Sequence, residues 1–186
     1  MNIIPLSIPD VKLIEPAVFG DERGFFMETY RRNTFKEAGI DVNFVQDNMS
    51  SSRKGVLRGL HFQKDPYSQG KLVRVVKGAV FDVAVDLRKG SPWYGKWVGE
   101  IISEDNKLSL YIPQGFAHGF CVVSDEAVFH YKCTEFYHPE AEGSLRWDDP
   151  TVAVEWPLPD LPKITSPKDE KAPFLQEVDC NFRYTL

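Results

Sequence analysis

The chain has 186 residues, with 22 Lys and Arg against 27 Asp and Glu, and its formal net charge is −5. The length fits one domain over residues 1–186, and 13 Gly with 13 Pro argue against a helix bundle because both residues break helices. The acidic balance argues against a nucleic-acid polymer as partner, since such binders neutralise phosphates.

The charge is unevenly distributed along the chain. Seven basic residues and one acidic residue lie between Arg53 and Lys77, so this segment carries +6 and the remainder −11. A basic segment within an acidic protein favours a compact anionic ligand over a long polyanion.

The predicted elements are mostly short strands. One helix is predicted over Asn33–Ala38, with Asn33 or Thr34 as its N-cap and Gly39 at its end. Strands are predicted over 55–63, over 71–87 with a turn at Lys77-Gly78, and over 97–103, 109–112, 119–123 and 127–136. Many short strands and few helices indicate an antiparallel sandwich or barrel.

The second arm of the 71–87 segment alternates strictly between two faces. Apolar residues occupy one face and two aspartates the other, with Phe81, Val83, Val85 and Leu87 on the first and Asp82, Ala84 and Asp86 on the second. This pattern predicts a half-buried antiparallel strand.

The C-terminal part of the chain is rich in proline. Seven prolines occur from Pro139 to the residue before Phe174. Because proline cannot donate to a sheet ladder, we expect this tail to be a loop with short turns that wraps over the core, outside the sheet.

The sequence also indicates the compartment. Three cysteines without a CxxC pair favour neither a disulfide framework nor a zinc site. The start lacks the basic and apolar regions of a signal peptide, and no apolar run approaches the ~20 residues of a membrane helix. We therefore expect a soluble cytoplasmic protein with no membrane partner.

His61 is the first candidate for chemistry. It alternates with Leu60 and Phe62, so one strand face is apolar and the other presents His61 and Gln63. A lone histidine in a strand is usually a surface or satisfied core residue. His61, however, has Arg58 three residues before it and Lys71 ten residues after it.

His118 ends a Pro113-x-Gly115-x-x-His118 pattern that resembles the second motif of the cupin superfamily. The first cupin motif supplies His-x-His and a Glu to a metal, but here Gln63 stands in place of the second His and no Glu follows four or five residues on. Because a metal site needs about three or four good ligands, we expect a cupin-like antiparallel jelly-roll barrel without a metal.

Two further candidates carry little weight taken singly. Tyr131 lies in a predicted strand, where tyrosine most often packs against its neighbours. Asp169 lies in the Pro-rich tail, where a solvated loop charge is expected.

Six motifs together carry more information. In chain order they are Asp21–Glu28, Val45–Asn48, Leu57–Gln63, Gly70–Val73, Ile112–Phe120 and Tyr131–Thr134. They resemble the dTDP-4-dehydrorhamnose 3,5-epimerase family, from about residue 12 to the C-terminus. The resemblance implies a homodimeric cupin enzyme without cofactor or metal, which converts dTDP-4-dehydro-6-deoxy-D-glucose to dTDP-4-dehydro-L-rhamnose in dTDP-rhamnose biosynthesis.

The resemblance also implies roles for individual residues. His61 matches the general base, Tyr131 the general acid, Asp169 the partner of the histidine and Lys71 a lysine beside the sugar. The residues that match substrate-binding positions are Arg23, Phe26, Glu28, Gln46, Asn48, Arg58, His118, Tyr137, Glu142 and Lys168. Among them, Tyr137 matches an aromatic that stacks on thymine, with Phe26 nearby.

These residue types suit the implied reaction. A C4 ketone acidifies the C–H bonds at C3 and C5, so epimerisation needs a base, an enolate stabiliser and an acid on the opposite face. An imidazole titrates near ~6.5 and is a base close to neutral pH. No hydride moves, which agrees with the lack of a GxGxxG fingerprint in the sequence.

Other functions fit parts of the same pattern. The acid–base set would equally serve a relative that inverts only C3 or only C5 of a dTDP-4-keto sugar. A metal-dependent cupin enzyme is disfavoured by Gln63. A sugar-nucleotide binding module without catalysis is the third alternative.

Overall fold

Antiparallel strands dominate the computed structural model, which describes residues 1–185. They form a six-stranded sheet, a five-stranded sheet and a two-stranded hairpin. The strands are β1 (Asn2–Pro5), β2 (Lys12–Glu15), β3 (Val18–Asp21), β4 (Gly24–Met27), β5 (Gln46–Arg53), β6 (Leu57–Gln63), β7 (Lys71–Lys77), β8 (Ala79–Asp86), β9 (Trp97–Ser103), β10 (Ser109–Ile112), β11 (Phe116–Val122), β12 (Glu126–Cys133) and β13 (Glu142–Ser144).

The two large sheets pack against each other through their apolar faces. The six-stranded sheet has the order β1-β2-β10-β7-β12-β5, and the five-stranded sheet has the order β13-β6-β11-β8-β9. Val73 and Phe129 of the first sheet share a buried cluster with Val80, Ile102 and Phe120 of the second. This arrangement confirms the predicted cupin-like, mainly antiparallel β fold.

The strand predictions are accurate in the central part of the chain. The ranges 97–103 and 109–112 are confirmed as β9 and β10, and the 71–87 segment divides at Gly78, whose φ is +77°. β11 begins three residues before its predicted start, and β12 ends three residues before its predicted end. The strands before residue 50 and β13 were not predicted.

The prediction that β8 is half-buried is wrong, because both of its faces are covered. Val80 and Ala84 face the core between the sheets, whereas Val83 and Val85 pack with tail residues such as Leu175 in a second apolar cluster. The tail therefore covers the outer face of the five-stranded sheet. Asp82 and Asp86 lie on the opposite face of β8, with Val80 and Ala84, where the six-stranded sheet covers them, and both are 0% exposed.

The Pro-rich tail is more ordered than predicted. Glu142–Ser144 pairs with β6 as β13, which corrects the expectation that the tail lies outside the sheets. This stretch contains no proline, so its backbone can form the ladder. Ile164 then bonds Gly55 and Leu57, and a short helix, α2 (Pro167–Glu170), follows with Ser166 as its N-cap.

The predicted helix is present but begins earlier. It is α1 (Arg32–Glu37), and its N-cap is Arg31, which makes no capping hydrogen bond, rather than Asn33 or Thr34. The burial of Phe35, which packs edge-on against Tyr30, explains why the helix begins at Arg32. Within residues 1–185, no helix has both the length and the apolar character needed to cross a membrane.

Gly119 lies where β6 and β11 approach each other closely. A Cβ atom on it would lie 2.6 Å from the Arg58 oxygen and 3.0 Å from Gly59 Cα. Both contacts are to backbone, so Gly119→Ala must push the strands apart. We expect urea unfolding to show a loss of about 1–3 kcal/mol, the usual cost of overpacking.

Gly20→Ala is the matched control for this substitution. Its added Cβ would meet only the Gly24 oxygen at 3.7 Å, an ordinary contact. The free energy of unfolding of this variant should stay within about 0.5 kcal/mol of the wild type. Equal stability of the two alanine variants would contradict the close approach of β6 and β11.

Candidate active site

A cavity lies between the two large sheets. It consists of a pocket of about 460 Å³ and an adjoining one of about 240 Å³, and His61, Lys71 and Tyr131 line both. His61 belongs to β6 of the five-stranded sheet, whereas Lys71 and Tyr131 belong to β7 and β12 of the six-stranded sheet. The three candidate residues therefore meet across the gap between the sheets.

His61 is paired with a carboxylate from the tail. Its Nε2 lies 2.5 Å from Oδ1 of Asp169, whose side chain is almost completely buried. Helix α2 fixes this carboxylate, because the Asp169 backbone N–H donates to Ser166 Oγ. Burial raises the pKa of Asp169, but the bonds from His61, Ser166 and Gly59 hold it below the usual value. Asp169 is thus not the solvated charge expected of a loop residue.

Lys71 lies at the first position of β7, opposite Cys133 of β12. Burial lowers the pKa of its ammonium group, and the nearby Cys133, Asp82 and Glu142 oppose that shift. A cation in this position can stabilise negative charge that develops in the cavity.

Tyr131 faces the cavity from β12 and packs against Phe129. Burial raises the pKa of its phenol, Cys133 adds to the shift, and Arg58 opposes it. The phenol therefore stays protonated at neutral pH and can donate a proton.

The inward side of β5 is a polar wall. Gln46 and Asn48, which were predicted, share this face with Ser50 and Ser52, which were not. Ser52 Oγ accepts from Arg58 Nε at 2.9 Å, and buried Ser50 Oγ has no partner within residues 1–185. The alternation of β5 beyond Asn48 is the sequence signal that could have identified both serines.

The smaller pocket is closed by residues from the turn after β12 and from the tail. Tyr137 donates its hydroxyl to Glu142 at 3.1 Å, and Glu142 forms an ion pair with Lys168. Burial opposes ionisation of Glu142, but Lys168 holds its pKa below the usual value. The Tyr137 ring remains half exposed at the pocket edge.

His118 lies deeper in the larger pocket. Its Nε2 is 2.9 Å from Oδ2 of Asp82, and both side chains are buried. Burial lowers the pKa of His118 although Asp82 opposes the shift, so the imidazole is neutral at neutral pH. The sequence pattern placed Asp82 on a strand face without assigning it a role.

Three predicted residues do not reach this cavity within one chain. Arg23 and Phe26 lie on the β3–β4 hairpin, where Arg23 pairs with Asp21 and Phe26 is 69% exposed. Glu28 follows the hairpin and pairs with Arg31.

The buried amide of Gln63 has a structural use. It donates to the carbonyl oxygens of Tyr67 and Phe136 and accepts from the His138 N–H. Across residues 1–185, no group of three or more His, Cys, Asp and Glu side chains is placed to hold a metal ion.

One cavity thus holds a base paired with a carboxylate, a protonated phenol and a lysine. These are the groups needed to move protons on a carbon skeleton. Together with the cupin-like barrel, they define an isomerase of the carbohydrate-epimerase class. Comparisons with known proteins identify the family.

The family model described as dTDP-4-dehydrorhamnose 3,5-epimerase matches residues 5–177. A dTDP-4-dehydrorhamnose 3,5-epimerase of Shigella flexneri is 60% identical over 159 residues, which are 85% of this chain and 88% of the relative. The Salmonella typhimurium enzyme of the same name is 55% identical over 95% of this chain and 97% of its own.

A solved structure agrees. The dTDP-6-deoxy-D-glucose-3,5-epimerase of Legionella pneumophila, in complex with dTDP-4-keto-L-rhamnose, superposes with a TM-score of 0.95 at 52% identity, over 100% of this chain and 99% of that one. The chain belongs to the dTDP-4-dehydrorhamnose 3,5-epimerase family.

Asp169→Asn should remove stability that depends on ionisation. Because the folded-state pKa of Asp169 lies below the ordinary value of about 3.9, its carboxylate stabilises the fold above that value, and the contribution is lost as the pH falls through the folded-state pKa. We expect a loss of about 1–3 kcal/mol at pH 6, in the range of charged hydrogen bonds. The difference from wild type should shrink below about pH 4.

Urea unfolding at pH 6, 5, 4 and 3 measures this difference. The exposed tail residue Asp160 provides a control, and Asp160→Asn should stay within about 0.5 kcal/mol of wild type at each pH. A difference for Asp169→Asn that stayed constant down to pH 3 would contradict the depressed pKa.

Proposed function

We propose that this enzyme inverts C3 and C5 of dTDP-4-dehydro-6-deoxy-D-glucose to give dTDP-4-dehydro-L-rhamnose. The observation that carries the proposal is the placement of a base and an acid on opposite walls of one cavity. His61 extends from the five-stranded sheet and Tyr131 from the six-stranded sheet. A sugar ring between them would present one face to each.

His61 is the base in this proposal. It removes the proton from the carbon beside the ketone, and the buried carboxylate of Asp169, 2.5 Å away, stabilises the imidazolium that forms. The electron pair of the broken C–H bond moves onto the ketone oxygen as an enolate.

Lys71 and Tyr131 complete the exchange of protons. The Lys71 ammonium group stabilises the enolate oxygen, an effect that typically contributes about 3–4 kcal/mol. Tyr131 then delivers a proton to the carbon from the opposite wall, which inverts the configuration. His61 then gives its proton to solvent while the Tyr131 phenolate takes one up from solvent, and this exchange resets the pair.

The nucleotide part of the substrate is anionic, and the cavity offers cations for it. Of the basic residues between 53 and 77, Arg58 and Lys71 line the cavity, whereas Lys54, Lys64 and Lys77 form ion pairs with carboxylates elsewhere. The Arg58 guanidinium can bind the diphosphate through its terminal NH2 groups, because within residues 1–185 only its Nε donates a hydrogen bond, to Ser52. Tyr137 offers an exposed ring for the thymine.

We further infer that the active unit is a homodimer, in which the β3–β4 hairpin of one chain reaches the cavity of the other. The hairpin exposes an apolar surface, with Phe19, Phe25 and Phe26 each more than half exposed. Such a surface favours a protein partner. A second copy would supply Arg23, Phe26 and Glu28, which match substrate-binding positions and lie outside the cavity of their own chain.

Turnover in heavy water tests the reaction. The wild type should introduce deuterium at both C3 and C5 of the sugar, as detected by mass spectrometry and NMR. Label at one carbon only would indicate a single epimerisation, and no exchange would indicate a binding module. His61→Ala should abolish exchange, because the base is lost.

Tyr131→Phe separates proton removal from inversion in the same experiment. His61 remains, so deuterium should enter with retention of configuration while product formation falls by about a hundredfold or more. Both variants should bind dTDP with nearly wild-type affinity, whereas Arg58→Ala should bind it more weakly. Wild-type turnover by either His61→Ala or Tyr131→Phe would exclude the assigned role.

Mixing two inactive variants tests the dimer. In a heterodimer of Arg23→Ala and His61→Ala subunits, one site contains both substitutions and the other contains neither. After random exchange of subunits, about a quarter of all active sites should therefore contain neither substitution. Turnover at low substrate concentration measures this recovery.

Arg58→Ala mixed with His61→Ala is the matched control. Both residues line the cavity of their own chain, so no heterodimer contains an intact site and activity should not return. Failure of the Arg23→Ala and His61→Ala mixture, with subunit exchange demonstrated by native mass spectrometry, would contradict the shared site.

A further inference from the structure

The turn after β12 carries Tyr137, and the buried side chain of Gln63 holds this turn from β6. The Gln63 Nε2 donates to the Phe136 oxygen at 3.0 Å, and its Oε1 accepts from the His138 N–H at 2.7 Å. These are the two peptide groups that flank Tyr137. One side chain therefore fixes the backbone immediately before and immediately after the tyrosine.

Gln63 also ties this turn to the loop of residues 64–69. Its Nε2 donates to the Tyr67 oxygen at 2.7 Å, and the Tyr67 ring stacks on His138 with the ring centroids 3.8 Å apart. The loop is fixed in its turn, because Asp65 and Asn181 exchange two hydrogen bonds of 3.1 and 3.0 Å. The turn is thus joined to a part of the chain that is itself held in place.

The amide of Gln63 is fully used for this purpose. The residue is 3% exposed, and its two N–H groups and its oxygen all have backbone partners. Gln46 and Gln69 also bond the turn, at the Tyr137 N–H and the Glu135 oxygen, but both remain partly exposed. Among the side chains of residues 1–185, only Gln63 bonds both peptide groups beside Tyr137.

We propose that Gln63 is a positioning residue that holds the Tyr137 ring at the pocket edge for the base of the nucleotide. This inference rests on the thymine contact proposed above for Tyr137. The ring is about half exposed and its side chain is bonded only through its hydroxyl, to Glu142. Its direction therefore depends on the backbone, and a ring that is already in place binds the base without the entropic cost of ordering it.

Binding of dTDP, measured by calorimetry, tests the role of Gln63 without turnover. Gln63→Met keeps the length of the side chain but removes its donors and its acceptor. We expect the Kd for dTDP to rise about tenfold, which is typical for the loss of one aromatic–base stack. KM should rise with it, whereas kcat should stay within about threefold of the wild type, because only binding is weakened.

A double-mutant cycle separates positioning of the ring from a general loss of structure. Tyr137→Ala should also raise the Kd for dTDP about tenfold. When the ring is absent, Gln63 has nothing to position, so adding Gln63→Met to Tyr137→Ala should change the Kd by less than about twofold. An equal effect of Gln63→Met in both backgrounds would overturn the proposal, and so would wild-type affinity in Tyr137→Ala.

Gln114→Met is the matched control. The Gln114 Nε2 donates to the Ser68 oxygen at 2.8 Å, so this variant loses an amide bond to the same loop but none to the turn. Its Kd for dTDP should stay within about twofold of the wild type. A loss as large as that of Gln63→Met would contradict a specific role of the turn.

Should Gln63→Met fail to fold, Gln63→Glu keeps the size and an acceptor for the His138 N–H but supplies at most one donor for two carbonyl oxygens. It should weaken dTDP binding only while Tyr137 is present. Unchanged dTDP affinity in a folded Gln63 variant would overturn the proposal. If the wild type binds dTDP but shows no epimerisation, the proposed reaction fails, whereas the binding cycle still decides the role of Gln63.

Discussion

The hydrogen bond between His61 and Asp169 joins the barrel to the tail, across 108 positions of sequence. Asp169 is buried, so it needs a cationic or strongly donating partner, and His61 is that partner. The tail is also held to the same strand by β13 and by the backbone bonds of Ile164. The same contacts therefore fix both the path of the tail and the orientation of the His61 imidazole. A displaced tail would leave His61 and Asp169 without their hydrogen-bond partners.

The cavity is a polar region within an otherwise apolar packing of two sheets. Its charged groups are arranged so that each buried acid has a partner: Asp169 has His61, Glu142 has Lys168, and Asp82 has His118. Within residues 1–185 the remaining cations, Lys71 and Arg58, form no ion pair with a carboxylate. These two cations are therefore available for a diphosphate and an enolate oxygen, two anions that the same substrate carries at different points of its length and at different stages of the reaction.

Local sequence patterns correctly predict the elements that depend on neighbouring residues in the sequence. β9 and β10 follow their alternation, and the turn at Gly78 follows from a residue that tolerates a positive φ. The burial of β8 depends instead on distant parts of the chain. Leu175 and its neighbours, about ninety residues away, cover one face, and the six-stranded sheet covers the other face, on which Asp82 lies. No pattern within the strand could have shown that Asp82 is buried.

The same distinction applies to the candidate site. Motif resemblance identified His61, Lys71, Tyr131 and Asp169, and the structure brings all four to one cavity. Local context alone predicts a solvated charge at Asp169, because the contact that buries it comes from β6. Ser50 and Ser52 needed only the alternation of β5 to be found, whereas Arg23 and Glu28, which the resemblance also matched, lie outside the cavity of their own chain.

In the proposed mechanism, the two walls of the cavity also explain how one base and one acid can serve two carbons. In a gluco-configured ring the hydrogens on C3 and C5 are both axial and lie on the same face. A base on one wall therefore reaches both carbons, and an acid on the opposite wall can protonate both. The enolate oxygen is at C4 in either case, between the two reacting carbons. A single lysine can therefore stabilise both enolates, so the second inversion needs a small shift of the sugar rather than a second set of catalytic groups.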